Sequence, residues 1–353
     1  MLNRSRSLLL ASALATVFSA AHANATEGVV ASVKPIHSLV AAVMQGVGEP
    51  QLLVKGADSP HTYTMRPSEA GMLQEAKVVF WVGPGLETFL EGPLESLAGD
   101  AMTVELSETP GLTLLEPREG GAFEAHAHEK DDDHHEEEAE AGHDHDEGGH
   151  EDAHEEAHAH EGDHEEAHGH DEEEHEAHSH DEADMHLWLD PENARKMVRR
   201  IADTLSEVDP DNKSAYQENA AALDARFDTL LAETNEKLAA VRGRPFVVFH
   251  DAYHYFERRF DIPAAGSITV SPDAQPGARR LSEIHDKIAE LDAACVFSEP
   301  QFEPKVVQVV IEGTNARSGA LDPLGADIED GPELYSTLIG NMATALADCL
   351  SGK

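Results

Sequence analysis

Val78-Val79-Phe80-Trp81-Val82-Gly83-Pro84-Gly85-Leu86 decides the architecture. Its first five residues form an unbroken apolar run, the pattern of a strand covered on both faces, as in parallel sheets. Gly83, Pro84 and Gly85 interrupt it, and from Leu86 to Leu97 the apolar residues return at helical spacing. The same alternation extends outward. Upstream, Gly28 to Val33 reads as a strand, Ile36 to Met44 as a helix and Pro50 to Val54 as a second strand. Arg66 to Gln74 is predicted as a helix opened by Pro67, a residue favoured in a first turn. Downstream, Met102 to Leu106 is a fourth strand. Strands alternating with helices predict an α/β fold: a mostly parallel sheet flanked by helices.

The pattern resumes at Met185-His186-Leu187-Trp188-Leu189 and continues as a helix over Pro191 to Val208. Pro210 to Val241 then carries apolar residues at spacings of three and four, with Asp209 placed to cap it and Gly243 to end it. A helix of that length extends about 45 Å, enough to run along two domains. The second half repeats the logic of the first. Pro245 to Phe249 and Cys295 to Ser298 are predicted strands; Ala252 to Phe260, Arg279 to Leu291, Lys305 to Gly313 and Pro332 to Leu350 are predicted helices.

Between the halves lies a segment of different composition. Glu124 to Asp184 holds 28 Asp or Glu, one Lys and 16 of the 23 His, so it accounts for 27 of the 44 net negative charges. It has no apolar residue larger than Ala and cannot bury a core; a disordered loop is expected. His143-Asp144-His145, His158-Ala159-His160, His168-Gly169-His170 and His178-Ser179-His180 pair imidazoles closely enough to chelate ions weakly. The rest of the chain stays acidic and offers no basic patch to displace counterions, which excludes a nucleic-acid partner.

Arg4 and Arg6, the apolar run Leu8 to Ala20 and the small-residue site Ala21-His22-Ala23 read as a signal peptide over residues 1–23. Thirteen residues are too few to span a bilayer. Export into an oxidising compartment implies that the two cysteines, Cys295 and Cys349, form the one disulfide open to them.

Three single histidines, His61, His186 and His250, stand where strands give way to loops. In open parallel sheets ligands bind beyond the carboxyl ends of the strands. Each alone reads as a polar residue satisfied by a backbone bond; together they read as a metal site. His250-Asp251-Ala252-Tyr253-His254 approaches the H-E-x-x-H of zinc proteases, but His250 ends an apolar strand and Asp is a methylene shorter than Glu. His254 is therefore expected on a helix surface, as is His285. His37 opens the first helix and is a minor candidate to line the cleft, beside the ligands or as an alternate ligand.

The segments Gly56-Ala57-Asp58-Ser59-Pro60-His61-Thr62-Tyr63, Met185-His186-Leu187-Trp188-Leu189-Asp190-Pro191-Glu192, Phe249-His250-Asp251-Ala252-Tyr253, Ser298-Glu299-Pro300-Gln301-Phe302 and Leu321-Asp322-Pro323-Leu324-Gly325 resemble the zinc-binding solute-binding proteins of bacterial ABC importers, the ZnuA type. The resemblance runs along nearly the whole chain and includes the His/acid-rich insert. It implies two α/β lobes joined by one rigid helix, with metal in the cleft between them and His61, His186 and His250 as zinc ligands. The expected organisation is a signal peptide over 1–23, a first lobe over 24–208 containing the 124–184 loop, a linking helix over 209–241 and a second lobe over 242–353. Some ZnuA-type proteins carry Glu directly before the first His, where this chain has Pro60. The fourth donor is then expected to be water, with Asp322, which matches an acidic ligand of a related manganese-binding branch, as the alternative.

The expected function is capture of Zn²⁺ in the periplasm and delivery to an inner-membrane zinc ABC permease, without covalent chemistry, by a monomer. A periplasmic zinc metallochaperone is a further partner to consider. The rival readings are a manganese-binding relative or metal-dependent adhesin, and a zinc hydrolase using the open fourth position.

Overall fold

The computed structural model describes residues 27–118, 123, 183–269, 276–303 and 305–352. The signal-peptide expectation over 1–23 and all the paired histidines of the insert lie outside these residues.

Two four-stranded, fully parallel sheets organise the described residues. The first contains β1 (Val29–Ala31), β2 (Gln51–Leu52), β3 (Val78–Trp81) and β4 (Met102–Glu105), in the order β2-β1-β3-β4. Helices α1 (Lys34–Val43), α2 (Pro67–Gln74) and α3 (Glu91–Leu97) connect its strands. The second contains β5 (Phe246–His250), β6 (Gly266–Thr269), β7 (Cys295–Ser298) and β8 (Arg317–Ala320), in the matching order β6-β5-β7-β8. Between the sheets in sequence come α4 (Pro191–Val208) and α5 (Lys213–Leu238); α6 (His254–Phe260), α7 (Ala278–Glu290), α8 (Lys305–Ile311) and α9 (Leu334–Ser351) complete the second half. In each sheet the order reverses beside its first strand, which opens a crevice at the strand carboxyl ends. No helix among the described residues is long and apolar enough to cross a membrane.

The strand at Val78 is as expected: all four of its residues are buried. Two strands went unforeseen. β8 reads Arg-Ser-Gly-Ala, lies on the sheet edge and is largely exposed, so it carries no apolar run. Its Gly319 is required by packing, because a Cβ there would come within 2.5 Å of the Phe297 ring on β7. β6 has a single large apolar residue, Ile268.

The long helix differs from its expected bounds. Pro210–Asn212 forms a separate 3₁₀ turn, and α5 covers 26 residues, or about 39 Å. Asp209 does not cap it. Its carboxylate instead accepts from Asn212 Nδ2 at 2.7 Å and Tyr216 Oη at 2.8 Å. The apolar stripe buries Tyr216, Ala220, Leu223, Phe227 and Leu230. Along its polar edge Asn219 donates to the carbonyls of Val43 and Gln45 at the end of α1, while Lys237 donates to Thr344 on α9. α5 thus packs on both halves of the chain.

α9 is tied down twice. Cys349 forms the disulfide with Cys295, the first residue of β7. At its other end Tyr335 donates its hydroxyl to Trp188 O at 2.7 Å and its backbone N–H to Ser38 Oγ at 2.9 Å. Trp188, Phe227 and Tyr335 are all at most 1% exposed, and the apolar core is continuous through them.

Candidate metal centre

His250 is the last residue of β5, at the reversal point of the second sheet. The parallel register Val247↔Val296, continued three residues, sets it opposite Glu299 just beyond β7. Glu299 Oε1 lies 2.7 Å from His250 Nδ1 and also accepts from the His250 backbone N–H at 3.2 Å. Phe302 stacks on Phe249 and meets the His250 ring edge-on, closing that side.

His186 is held in the same manner by a residue of its own loop. Asp184 Oδ1 lies 2.8 Å from His186 Nδ1 and accepts the His186 backbone N–H at 3.0 Å. The 3₁₀ turn Leu187–Leu189 follows at once, and Trp188, anchored by its indole N–H on Pro323 O at 2.9 Å, packs against the His186 ring. His61 comes from the loop after β2. Tyr63 and the Arg66 backbone both donate to Glu69 at 2.7 Å, and Tyr63 packs edge-on against Phe89, so the loop enters α2 in one fixed form.

The result is convergence. His186 Nε2 lies 3.4 Å from both His61 Nε2 and His250 Nε2, and the three ligating atoms all fall within 4.8 Å of one another. A carboxylate can only accept, so the network assigns the protons of His186 and His250 to Nδ1. Their Nε2 lone pairs are then free to face one point. Carboxylate–histidine pairs of this kind orient an imidazole and raise its basicity as a metal donor. The cavity beside the trio measures about 10 Å³, lined by Pro60, Trp188, Gln301 and Pro323 among others.

Electrostatics sets His61 and His250 apart. Burial, then the neighbouring imidazoles of His186 and His250, holds His61 well below its ordinary value of 6.5. Burial would lower His250 too, but the Glu299 charge and hydrogen bond outweigh it and hold that imidazole above 6.5. Tyr253 is buried next to Glu299 and its hydroxyl is held well above 10, by burial first and then by the charges of Glu299 and Asp322.

The other candidates lie elsewhere. Asp322 is occupied as a loop cap: Oδ1 accepts from Gln301 Nε2 and the backbone of Leu324 and Gly325, and Oδ2 from the backbone of Ala326. His37 does not line the cleft. It is buried beneath the first sheet's edge with Nε2 3.0 Å from Pro50 O, because α1 turns that face toward β2. His254 begins α6 half-buried, outside the convergent group. His285 is half-buried, with Nε2 3.2 Å from Glu312 O.

Asp184 and Glu299 escaped the sequence reading as functional residues. The signal for Asp184 is its place two residues before His186; the signal for Glu299 requires the β5–β7 register, which no local pattern contains.

A profile of the family described as "Zinc-uptake complex component A periplasmic" matches residues 29–349. The chain belongs to the ZnuA family. It is 51% identical over 346 residues to the high-affinity zinc uptake system protein ZnuA of Brucella suis, covering 98% of each chain. With the Yersinia pestis protein of the same name it shares 37% over 331 residues, 92% of each. Among solved structures, a crystal structure of ZnuA superposes with a TM-score of 0.65 at 23% identity, over 90% of this chain and 98% of that one. The laminin-binding protein Lmb of Streptococcus agalactiae superposes at 0.64 with 20% identity, over 90% and 98%. These two likenesses bear on the two-lobe fold.

Proposed function

We propose that this protein captures Zn²⁺ in the periplasm with His61, His186 and His250 and delivers it to an inner-membrane ABC permease. The observation that carries the reading is the convergence of three imidazole Nε2 atoms, two of them backed by carboxylates. Neutral imidazole suits Zn²⁺ at about 2.0–2.1 Å, whereas Mn²⁺ favours carboxylate and water oxygen. Family membership and the names of the close relatives support the same cargo. Water is the fourth donor, since four hydrogen bonds already engage Asp322 and Pro60 has no donor to offer.

The protein carries zinc rather than reacting with it. No covalent step is assigned to it, and the paired histidines His143 through His180 hold further zinc weakly. It acts as a monomer after removal of residues 1–23, and a periplasmic metallochaperone remains a candidate partner. Competitive titration with Zn²⁺ and Mn²⁺ tests the reading: one tight zinc equivalent, with manganese displaced, is expected. Preferential manganese binding, or hydrolase activity of the zinc-loaded protein, overturns it.

A further inference from the structure

The first lobe supplies His61 and His186 and the second supplies His250, so zinc is retained only while the two lobes are held in register. The polar contacts that do this on one flank of the cleft converge on a single short helix. Arg118 donates through Nε to Asp251 Oδ2 at 3.0 Å and through Nη2 to Asp251 Oδ1. The same guanidinium donates to Glu257 Oε2 at 2.6 Å and to Oε1 at 3.1 Å. Phe123 covers its outer face, 3.9 Å from ring centre to Cζ. Tyr255 Oη accepts from the Leu115 N–H at 3.0 Å and donates to Asp184 O at 2.7 Å. Asp184 N–H in turn donates to Leu115 O at 2.8 Å, which joins the two stems of the acidic insert. Arg259 forks onto Asp190, the cap of α4.

Every second-lobe partner in this set lies within residues 251–259, on α6 or just before it. Two of the bonded residues adjoin ligands: Asp251 follows His250 in the chain, and the Asp184 carboxylate holds His186. Arg118 makes the most demanding contact. It satisfies two carboxylates, 8% and 2% exposed, with one planar fork, a geometry that the single ammonium of Lys cannot reproduce.

We propose that Arg118 is a positioning residue for zinc retention, latching the stem of the insert to α6 and so keeping His250 in register with His186. The inference rests on the reading of the trio as a zinc site. The test is zinc release from the full-length protein into excess chelator, followed by stopped flow, for the parent, Arg118→Ala, Arg118→Lys and Glu257→Gln. Arg118→Ala should release zinc roughly 10- to 100-fold faster, with association within about twofold of the parent, a span typical of coupling between two sites. Arg118→Lys and Glu257→Gln should fall between, and they carry the test if the alanine variant does not fold. Arg195→Ala is the control for lost ion pairing alone. Arg195 bridges Glu192, Asp224 and Asp228 on α4 and α5, and its loss should leave release unchanged. Folded Arg118 variants that release zinc at the parental rate overturn the latch. A parent that holds no tight zinc overturns the functional reading itself.

Discussion

His250 ends β5 and Glu299 follows the last residue of the neighbouring parallel strand β7; their contact fixes an imidazole at the end of the sheet. The carboxylate meets both Nδ1 and the backbone N–H of His250, which fixes the tautomer and the ring plane together. Asp184 treats His186 identically from within one loop. Two unrelated local structures thus arrive at the same solution.

Replacing Glu299 by Gln keeps the shape and removes the charge. Outer carboxylates of this kind are worth roughly 10- to 100-fold in metal affinity. Glu299→Gln is expected to weaken zinc binding by that factor, with His61 and His186 still bound. Chelator competition measures it, and an unchanged affinity would mean that the carboxylate does not tune the donor.

Loss of a ligand should be far more severe. His61→Ala, His186→Ala and His250→Ala are each expected to weaken the tight site by several orders of magnitude, because two imidazoles chelate poorly. His254→Ala, outside the convergent group, should change little. Equal damage from His254→Ala and His250→Ala would show the ligand set to be misassigned.

The pH dependence follows from the unequal imidazoles. Zinc needs all three neutral, and protons compete only below each ligand's own pKa. His250 is held above 6.5, so it competes with zinc at a higher pH than His61, which is held well below 6.5. Affinity should therefore begin to decline above pH 6.5 as His250 takes up its proton, and the decline should steepen at lower pH when His61 joins. Glu299→Gln, by removing the charge that raises His250, should move the onset to lower pH. Titrations at half-unit steps between about pH 8 and 5 decide it; a full three-proton slope from the outset contradicts the assignment.

The Cys295–Cys349 bridge closes a 54-residue separation, worth about 4 kcal/mol in the chain-entropy account. Cys295→Ser/Cys349→Ser should lower the denaturation free energy by up to that amount while sparing zinc affinity, since neither residue adjoins a ligand. Unfolding by denaturant with and without zinc separates the two effects.

Much of this was legible in the residues themselves. The apolar run at Val78, the strand at Cys295–Ser298 and the helix at Pro191–Val208 follow from local pattern, because burial on one or both faces dictates it. The trio could be named because the sequence pattern sets each His where an apolar strand gives way to a loop, the place where open parallel sheets bind ligands. What stayed hidden depends on pairing at a distance. β8 is an edge strand without large apolar residues, Glu299 reaches His250, 49 residues away in sequence, only through the register of two strands, and the burial of His37 depends on how α1 is rotated. Arg118 lies at the border of the low-complexity insert, where composition masks a residue bonded to two carboxylates.

Capture and storage of zinc are expected to be separable by deleting the insert. The three converging histidines come from the loop after β2, the turn before α4 and the end of β5, none of them within residues 126–179. The contacts that fix the stems are made by Leu115, Arg118 and Asp184, also outside that stretch. Over residues 126–179 the chain offers paired imidazoles but no apolar side chain larger than Ala, so docking it on the cleft would cost ordering entropy without compensating burial. Deleting residues 126–179 is therefore expected to leave folding and one tight zinc equivalent intact, to remove several weaker equivalents, and to impair uptake chiefly when zinc is scarce. Paired calorimetric titrations of the full chain and the deletion measure both classes of site. Loss of the tight site would mean that the insert supplies a primary ligand, and an equal zinc count in the two proteins would mean that its histidines hold no reserve.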